Sequence, residues 1–196
     1  MAAPLDFSSQ GVREFCDTIS AETSAPGGGS VAAIVGAMGA SLAAMAARFS
    51  KEQWQDAVGA VAQAEALKAR LLPLAEEDAR AYENVLLALR MEDVDGEVRD
   101  AAIGDALSRA TDVPLAIAEA SLDVAALACE LAERGNRNLH GDAAAAVFFA
   151  EAAVRASANL VEINLATREG DERLERAREL VEIVRRITRR VSEARS

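Results

Sequence analysis

The sequence is poor in nearly everything that would hold a sheet, a metal or a nucleic acid. Aromatic residues make up 4% of the 196 positions: five Phe, one Trp and one Tyr. No run of β-branched or aromatic residues alternates with period two, so strands are not expected. His140 is the single histidine, and the two cysteines, Cys16 and Cys129, form no C-x-x-C pair. An imidazole without a thiol or carboxylate cluster makes a poor metal site, so no metal and no cofactor are expected. The thiols read as small buried hydrophobes in a reducing cytoplasm. Only Lys51 and Lys68 are lysines, and the net charge is −11. Phosphate backbones need a basic face, so no nucleic-acid partner is expected. The opening MAAPLDFSSQGVREF has neither the basic nor the apolar region of a secretory signal. The uncharged stretch from Val31 to Ala47 covers 17 residues, mostly Ala and Gly. A membrane span needs ~20 strongly apolar residues, so this stretch reads as a buried helix of a soluble protein, with no membrane partner.

What is abundant is alanine, which has the best helix propensity and no bulk to hold helices apart. The pattern predicts one all-α domain over residues 1–196: an antiparallel bundle of six to seven helices with a closely packed Ala/Gly core. The expected helices run from about Ser8 to Glu22, Gly29 or Ser30 to Phe49, and Lys51 to Arg90. They continue from Glu97 to Ala110, Val113 to Gly135, Asp142 to Thr167 and Glu172 to Arg195. Pro73 should kink or break the third helix, and Thr111 and Asp112 should cap a fifth that opens at Pro114. Small-residue faces on the second and sixth helices point to a homodimer.

Asp78 is the most informative single residue. On a helical wheel Leu67, Leu71, Leu74, Tyr82, Val85 and Leu89 form an apolar stripe with Asp78 at its centre. Glu76, Glu77, Arg80 and Glu83 fall on the opposite face. A carboxylate in an apolar seam is costly unless paired, and its pKa rises, which suits a general acid or base. A structural acid bonded to an arginine or a helix terminus fits the same pattern. The loop Ala25-Pro26-Gly27-Gly28-Gly29-Ser30 opens onto a helix N-terminus. Its glycines either let backbone N–H groups approach a ligand or make a tight turn between helices. Behind it Ala32, Gly36, Ala40 and Ala44 form a packing stripe. A third feature is GNRNLHGD, from Gly135 to Asp142, followed by a helix on which Asp142, Ser157 and Asn164 project away from the solvent stripe. His140 reads as a surface-loop histidine. RRITRR, from Arg185 to Arg190, reads as a solvated face.

These motifs together resemble the formiminotransferase-cyclodeaminase C-terminal domain family, which includes single-domain methenyltetrahydrofolate cyclohydrolases. APGGGSVAA, EDARAYENV, ALSRATDVPLA and then GNRN…D with NLVEINL occur in that order along nearly the whole chain. The resemblance implies a dimeric, all-helical protein that acts on a folate, with Asp78 as the catalytic residue. It also implies that Gly27, Gly28, Gly29, Ser30, Asn136, Asn138, Asp142 and Asn164 bind substrate. Where the family often has Gly-Lys-Lys, this chain reads RFSKEQW. Arg48 and Lys51 then remain, with Arg137, to hold an anionic glutamate tail. Asp78, the glycine loop, Asn136, Asp142 and Asn164 are expected to share one cleft. TDVPLA is similar to the cyclohydrolase members, and no transferase stretch accompanies the helices. The expected enzyme is therefore one that hydrolyses 5,10-methenyltetrahydrofolate to 10-formyltetrahydrofolate. Formimidoyltetrahydrofolate cyclodeaminase and a non-catalytic folate-binding bundle are the alternatives.

Overall fold

The computed structural model describes residues 6–92, 95–166 and 170–193. Its helices are α1 (Val12–Ser20), α2 (Gly28–Arg48), α3 (Ala57–Leu89), α4 (Gly96–Arg134), α5 (His140–Asn164) and α6 (Glu172–Glu193). A short 3-10 turn, Arg137–Leu139, leads into α5, and no strand occurs among the described residues. The expected turns at Asp93-Val94 and Arg168-Glu169, and the helix ends expected at Thr167 and Arg195, lie outside the described residues.

The all-helical bundle is built around α2, which packs against α3, α4 and α5. Ala32, Gly36, Ala40 and Ala44 are all buried there. A Cβ on Gly39 would lie 3.2 Å from the Ala146 carbonyl oxygen, which shows how close α2 and α5 come. Alanine cores permit this approach because nothing longer than a methyl group separates the backbones. α2 and α5 are long and apolar enough to cross a membrane, but 61% and 50% of their apolar windows are buried inside the bundle.

Several boundaries depart from the sequence expectation. The first helix starts only at Val12, because residues before it form a turn in which the Ser9 N–H donates to Asp6 Oδ1. Glu76, expected on the solvent face of the third helix, is buried. Its Oε1 accepts hydrogen bonds from the amides of Phe7 at 2.7 Å and Ser8 at 3.2 Å, so the N-terminal segment covers that face. The third helix begins at Ala57, since a turn in which the Trp54 amide donates to the Ser50 carbonyl precedes it.

The prolines also behave differently from expectation. α3 continues through Pro73, which stands on the solvent side, as does Ala69, whose carbonyl that proline leaves without a helical donor. The expected fourth and fifth helices are one helix of 39 residues, α4, with Pro114 inside it. Proline lacks the N–H that would bond the Ala110 carbonyl four residues back. Asn164 on α5 supplies the missing donor: its Nδ2 donates to the Ala110 oxygen at 3.2 Å. The helix therefore runs on without a cap.

Candidate active site

α2 starts without a side-chain cap of its own. The first amides of any helix have no partner within it, and together with the helix dipole they favour a negative group. Asp78, 48 residues away on α3, fills that position. Its Oδ2 accepts from the Ser30 amide at 2.9 Å and lies 3.3 Å from Ser30 Oγ. Ser30 Oγ in turn donates to the Ala75 carbonyl at 2.7 Å. The carboxyl rests directly on Gly29: a Cβ there would meet Asp78 Oδ1 at 2.1 Å and Cγ at 2.4 Å. Glycine at this position is thus a requirement of contact, not of backbone conformation. Burial raises the Asp78 pKa above the usual carboxylate value, and the hydrogen bond from the Ser30 amide pulls it back down.

Asp78 forms part of the wall of a cavity of about 310 Å³. Gly27, Gly28 and Gly29 make one side, Ala79, Tyr82 and Val85 of α3 another, and Leu107, Ala110 and Pro114 of α4 a third. Leu160, Ile163 and Asn164 of α5, with Ser24 and Ala25 before the glycines, complete it. The cavity is an apolar slot with one carboxyl, one amide and the start of a helix aimed at the same space. The apolar stripe expected around Asp78 explains this only in part. Its Leu67, Leu71 and Val85 are buried, but Tyr82 and Leu89 are half exposed at the cavity end of the bundle. A wider, shallower groove of about 770 Å³ lies between α5 and α6. Its Arg155, Arg178 and Arg185 are paired with Glu151, Glu162 and Glu182, so it offers no uncompensated charge.

The structure brings together Asp78, Gly27, Gly28, Gly29 and Asn164. Ser30 is fully buried behind Asp78 and does not line the cavity. The other expected site residues do not join this cleft within one protomer. Arg48, Lys51, Asn136, Arg137, Asn138 and Asp142 gather at the opposite end of α2. At 21 residues that helix is about 30 Å long. There Asn136 Nδ2 donates to the Phe49 carbonyl at 3.1 Å, its amide donates to Ser50 Oγ at 2.9 Å, and its Oδ1 accepts from the Asn138 amide at 3.0 Å. Arg48 is paired with Glu65 at 2.6 Å. His140 is not on a loop but opens α5, with Nδ1 placed to donate to the Ala132 carbonyl at 3.0 Å. Tyr82, Leu107, Pro114, Leu160 and Ile163 were not singled out for the site by the sequence reading. Only Pro114 carried a usable signal, since a proline inside a helix implies a donor from elsewhere.

Known proteins are similar in sequence and fold along most of the chain. A family model described as formiminotransferase-cyclodeaminase matches residues 11–182. A methenyltetrahydrofolate cyclohydrolase from Methylorubrum extorquens is 35% identical over 162 residues, covering 78% of each chain. A formimidoyltransferase-cyclodeaminase from Rattus norvegicus is 34% identical over 140 residues, which is 67% of this chain and 26% of that much longer protein. Among solved structures, formiminotetrahydrofolate cyclodeaminase from Thermotoga maritima superimposes with a TM-score of 0.85 at 28% identity, covering 95% of this chain and 96% of the other. With a matching model over most of its length and relatives above 30% identity, the chain belongs to the formiminotransferase-cyclodeaminase family.

Proposed function

We propose that this protein hydrolyses the one-carbon bridge of 5,10-methenyltetrahydrofolate, with Asp78 as the group that moves protons. The observation that carries the reading is a single desolvated carboxyl, held against Gly29, in a mostly apolar slot. The slot suits a flat heteroaromatic ring, and a carboxylate suits the cationic methenyl bridge. Asp78 takes a proton from water as its oxygen bonds to the bridge carbon, giving a neutral tetrahedral adduct. The adduct hydroxyl then loses its proton as the carbon–N5 bond breaks, and protonated Asp78 delivers a proton to N5. The products are 10-formyltetrahydrofolate and one released proton, so Asp78 ends as it began. Asn164 uses its Nδ2 on Ala110 and keeps Oδ1 for a donor on the ring. The likeness in sequence to the cyclohydrolase supports hydrolysis. The likeness in fold to the cyclodeaminase supports a second reaction at the same site, in which N10 attacks a formimino carbon and ammonia leaves. Following the loss of methenyltetrahydrofolate absorbance, and ammonia release from formiminotetrahydrofolate, decides between them. Inertness toward both overturns the enzyme reading in favour of a folate-binding bundle.

The same reading includes a homodimer working in the cytoplasm, where Cys129, buried as expected, and Cys16, exposed against expectation, stay unpaired. Val31, Val35, Met38, Leu42 and Met45 of α2, and the Phe49 that ends it, follow alternating four- and three-residue spacing, and none of them is buried. Met38 is 48% exposed and Phe49 62%. Beside it on the same face of the bundle α5 carries Ala145, Phe149, Ala152 and Ala156 at the same spacing, and Phe149 is 44% exposed. This uncharged two-helix face suits a two-fold interface in which the α2 helices cross antiparallel. That arrangement sets the far end of one α2, with Arg48, Lys51, Asn136, Arg137, Asn138 and Asp142, beside the glycine loop of the other. Folate-binding residues that stand apart in one protomer thereby meet across the dimer. Mixing the Asp78→Asn and Asp142→Asn variants by refolding should restore activity, because half of the sites in mixed dimers are then intact. No recovery would rule out this arrangement.

A further inference from the structure

Ser30 contacts Asp78, yet it is fully buried and absent from the cavity wall. Its hydroxyl has one hydrogen and two lone pairs. The Ala75 carbonyl, at 2.7 Å, can only accept, so the hydroxyl hydrogen points there. Toward Asp78 Oδ2, at 3.3 Å, Ser30 Oγ is left with a lone pair. A lone pair facing a carboxylate oxygen is repulsive, whereas the same lone pair facing a carboxylic acid O–H accepts a hydrogen bond. We propose that Ser30 is a positioning residue that holds Asp78 as a proton carrier: it gives its own proton to Ala75 and accepts the carboxyl proton on its oxygen. The Ser30 amide steadies the ionised form and the Ser30 hydroxyl steadies the protonated one, so a single residue serves both halves of a proton round trip. This inference rests on the proposed proton role of Asp78 at the same site.

Few other groups compete for control of that proton. The cavity walls contributed by α2, α4 and α5 hold no titratable side chain among the described residues, and Tyr82, one turn further along α3, is the only other titratable lining residue. Glu76, next but one to Asp78, is turned away to the amides of Phe7 and Ser8. A hydroxyl that instead donated to Asp78 would favour the carboxylate, so the two orientations predict opposite effects of removing it.

The test is a carboxyl-carbon NMR titration of the whole protein, in which the Asp78 signal is identified by its absence from Asp78→Asn. Ser30→Ala should move the Asp78 midpoint to lower pH by about one unit, a tenfold change in the ionised fraction between the two midpoints. The acid limb of the pH–kcat profile should move with it, while KM changes less than twofold because the hydroxyl does not reach the cavity. Ser30→Thr, which keeps the hydroxyl, should restore the wild-type midpoint. Ser30→Cys fills the same space with a weaker acceptor, and should give the downward shift should the alanine variant fail to fold. A midpoint that stays put or moves upward in folded Ser30→Ala or Ser30→Cys overturns the inference. The titration needs no folate, so a wild-type protein inert toward both folates overturns the proposed reaction and leaves the titration to judge Ser30 separately.

Discussion

The two ends of α2 solve one problem in opposite ways. Each helix end leaves backbone groups without helical partners. At the C-terminal end they are closed by neutral side chains: Ser50 Oγ donates to the Ala46 carbonyl, and Asn136 Nδ2 donates to that of Phe49. At the N-terminal end three glycines and a carboxyl from α3 meet a cavity, and the only amide closed by Asp78 is that of Ser30. Saturated hydrogen bonding among neutral groups makes a staple. A desolvated charge beside partly unclaimed amides makes a place where another molecule is worth more than water. In a bundle of alanine the proton carrier belongs at the helix end left chemically unfinished.

The sharpest way to break the contrast is to remove the charge. Asp78→Asn should lower kcat by roughly 10²–10⁴-fold, the range of a general acid or base, with the helical circular dichroism unchanged. Gly29→Ala keeps the carboxyl but forces it aside, and displacement by about 1 Å costs on the order of 10²-fold. Its melting temperature should fall little, because a carboxyl at the cavity edge can swing away more cheaply than backbone can. A large loss of stability with kcat intact would mean that Gly29 serves packing alone. Met38→Glu should abolish the dimer in sedimentation at micromolar concentration, and activity with it.

At the stapled end the loss of one closing hydrogen bond has a smaller effect on stability. Asn136→Ala should lower stability by about 1 kcal/mol, or about 2–4 °C in melting temperature, since the Phe49 carbonyl loses its donor. The smallest effect separates the ends by pH. The raised pKa of Asp78 means that the folded state holds its proton more tightly than the unfolded chain does. Its contribution is therefore fully present below the unfolded value and is lost as pH rises through the folded one. Asp78→Asn cannot ionise, so its urea midpoint relative to wild type should be higher at pH 8 than at pH 4. An equal difference at both pH values would mean that the carboxyl titrates alike in the two states.

Much of this was legible in the sequence, for identifiable reasons. The Ala32-Gly36-Ala40-Ala44 stripe and the polar exception at Asp78 are periodic facts, and a helix preserves them. Glu76 was misread because the segment that covers its face has no period of its own. Two helices were expected around Pro114 because the Asn164 donor lies 50 residues beyond the proline, where no local pattern registers it. The separation of Asn136 and Asp142 from the glycine loop was present to be read, since a helix of 21 residues fixes it. The shared-cleft expectation grouped residues that are polar or glycine exceptions in their local patterns and passed over that length. The face proposed for the dimer lies in between: its seven-residue repeat is visible in the sequence, but its openness emerges only when α3, α4 and α5 have taken the other sides of α2.

Pro114 sits inside α4. A proline in the middle of a helix is a mechanical joint, and the stiffness of α4 at that point depends on a strut from another helix. The strut is Asn164, which also lines the cavity. α4 has 39 residues and a length of about 58 Å, which makes it the longest rod in the bundle. Any molecule in the cavity that pulls on Asn164 also loads the joint of that rod, so filling the cavity and bending the bundle draw on the same amide group.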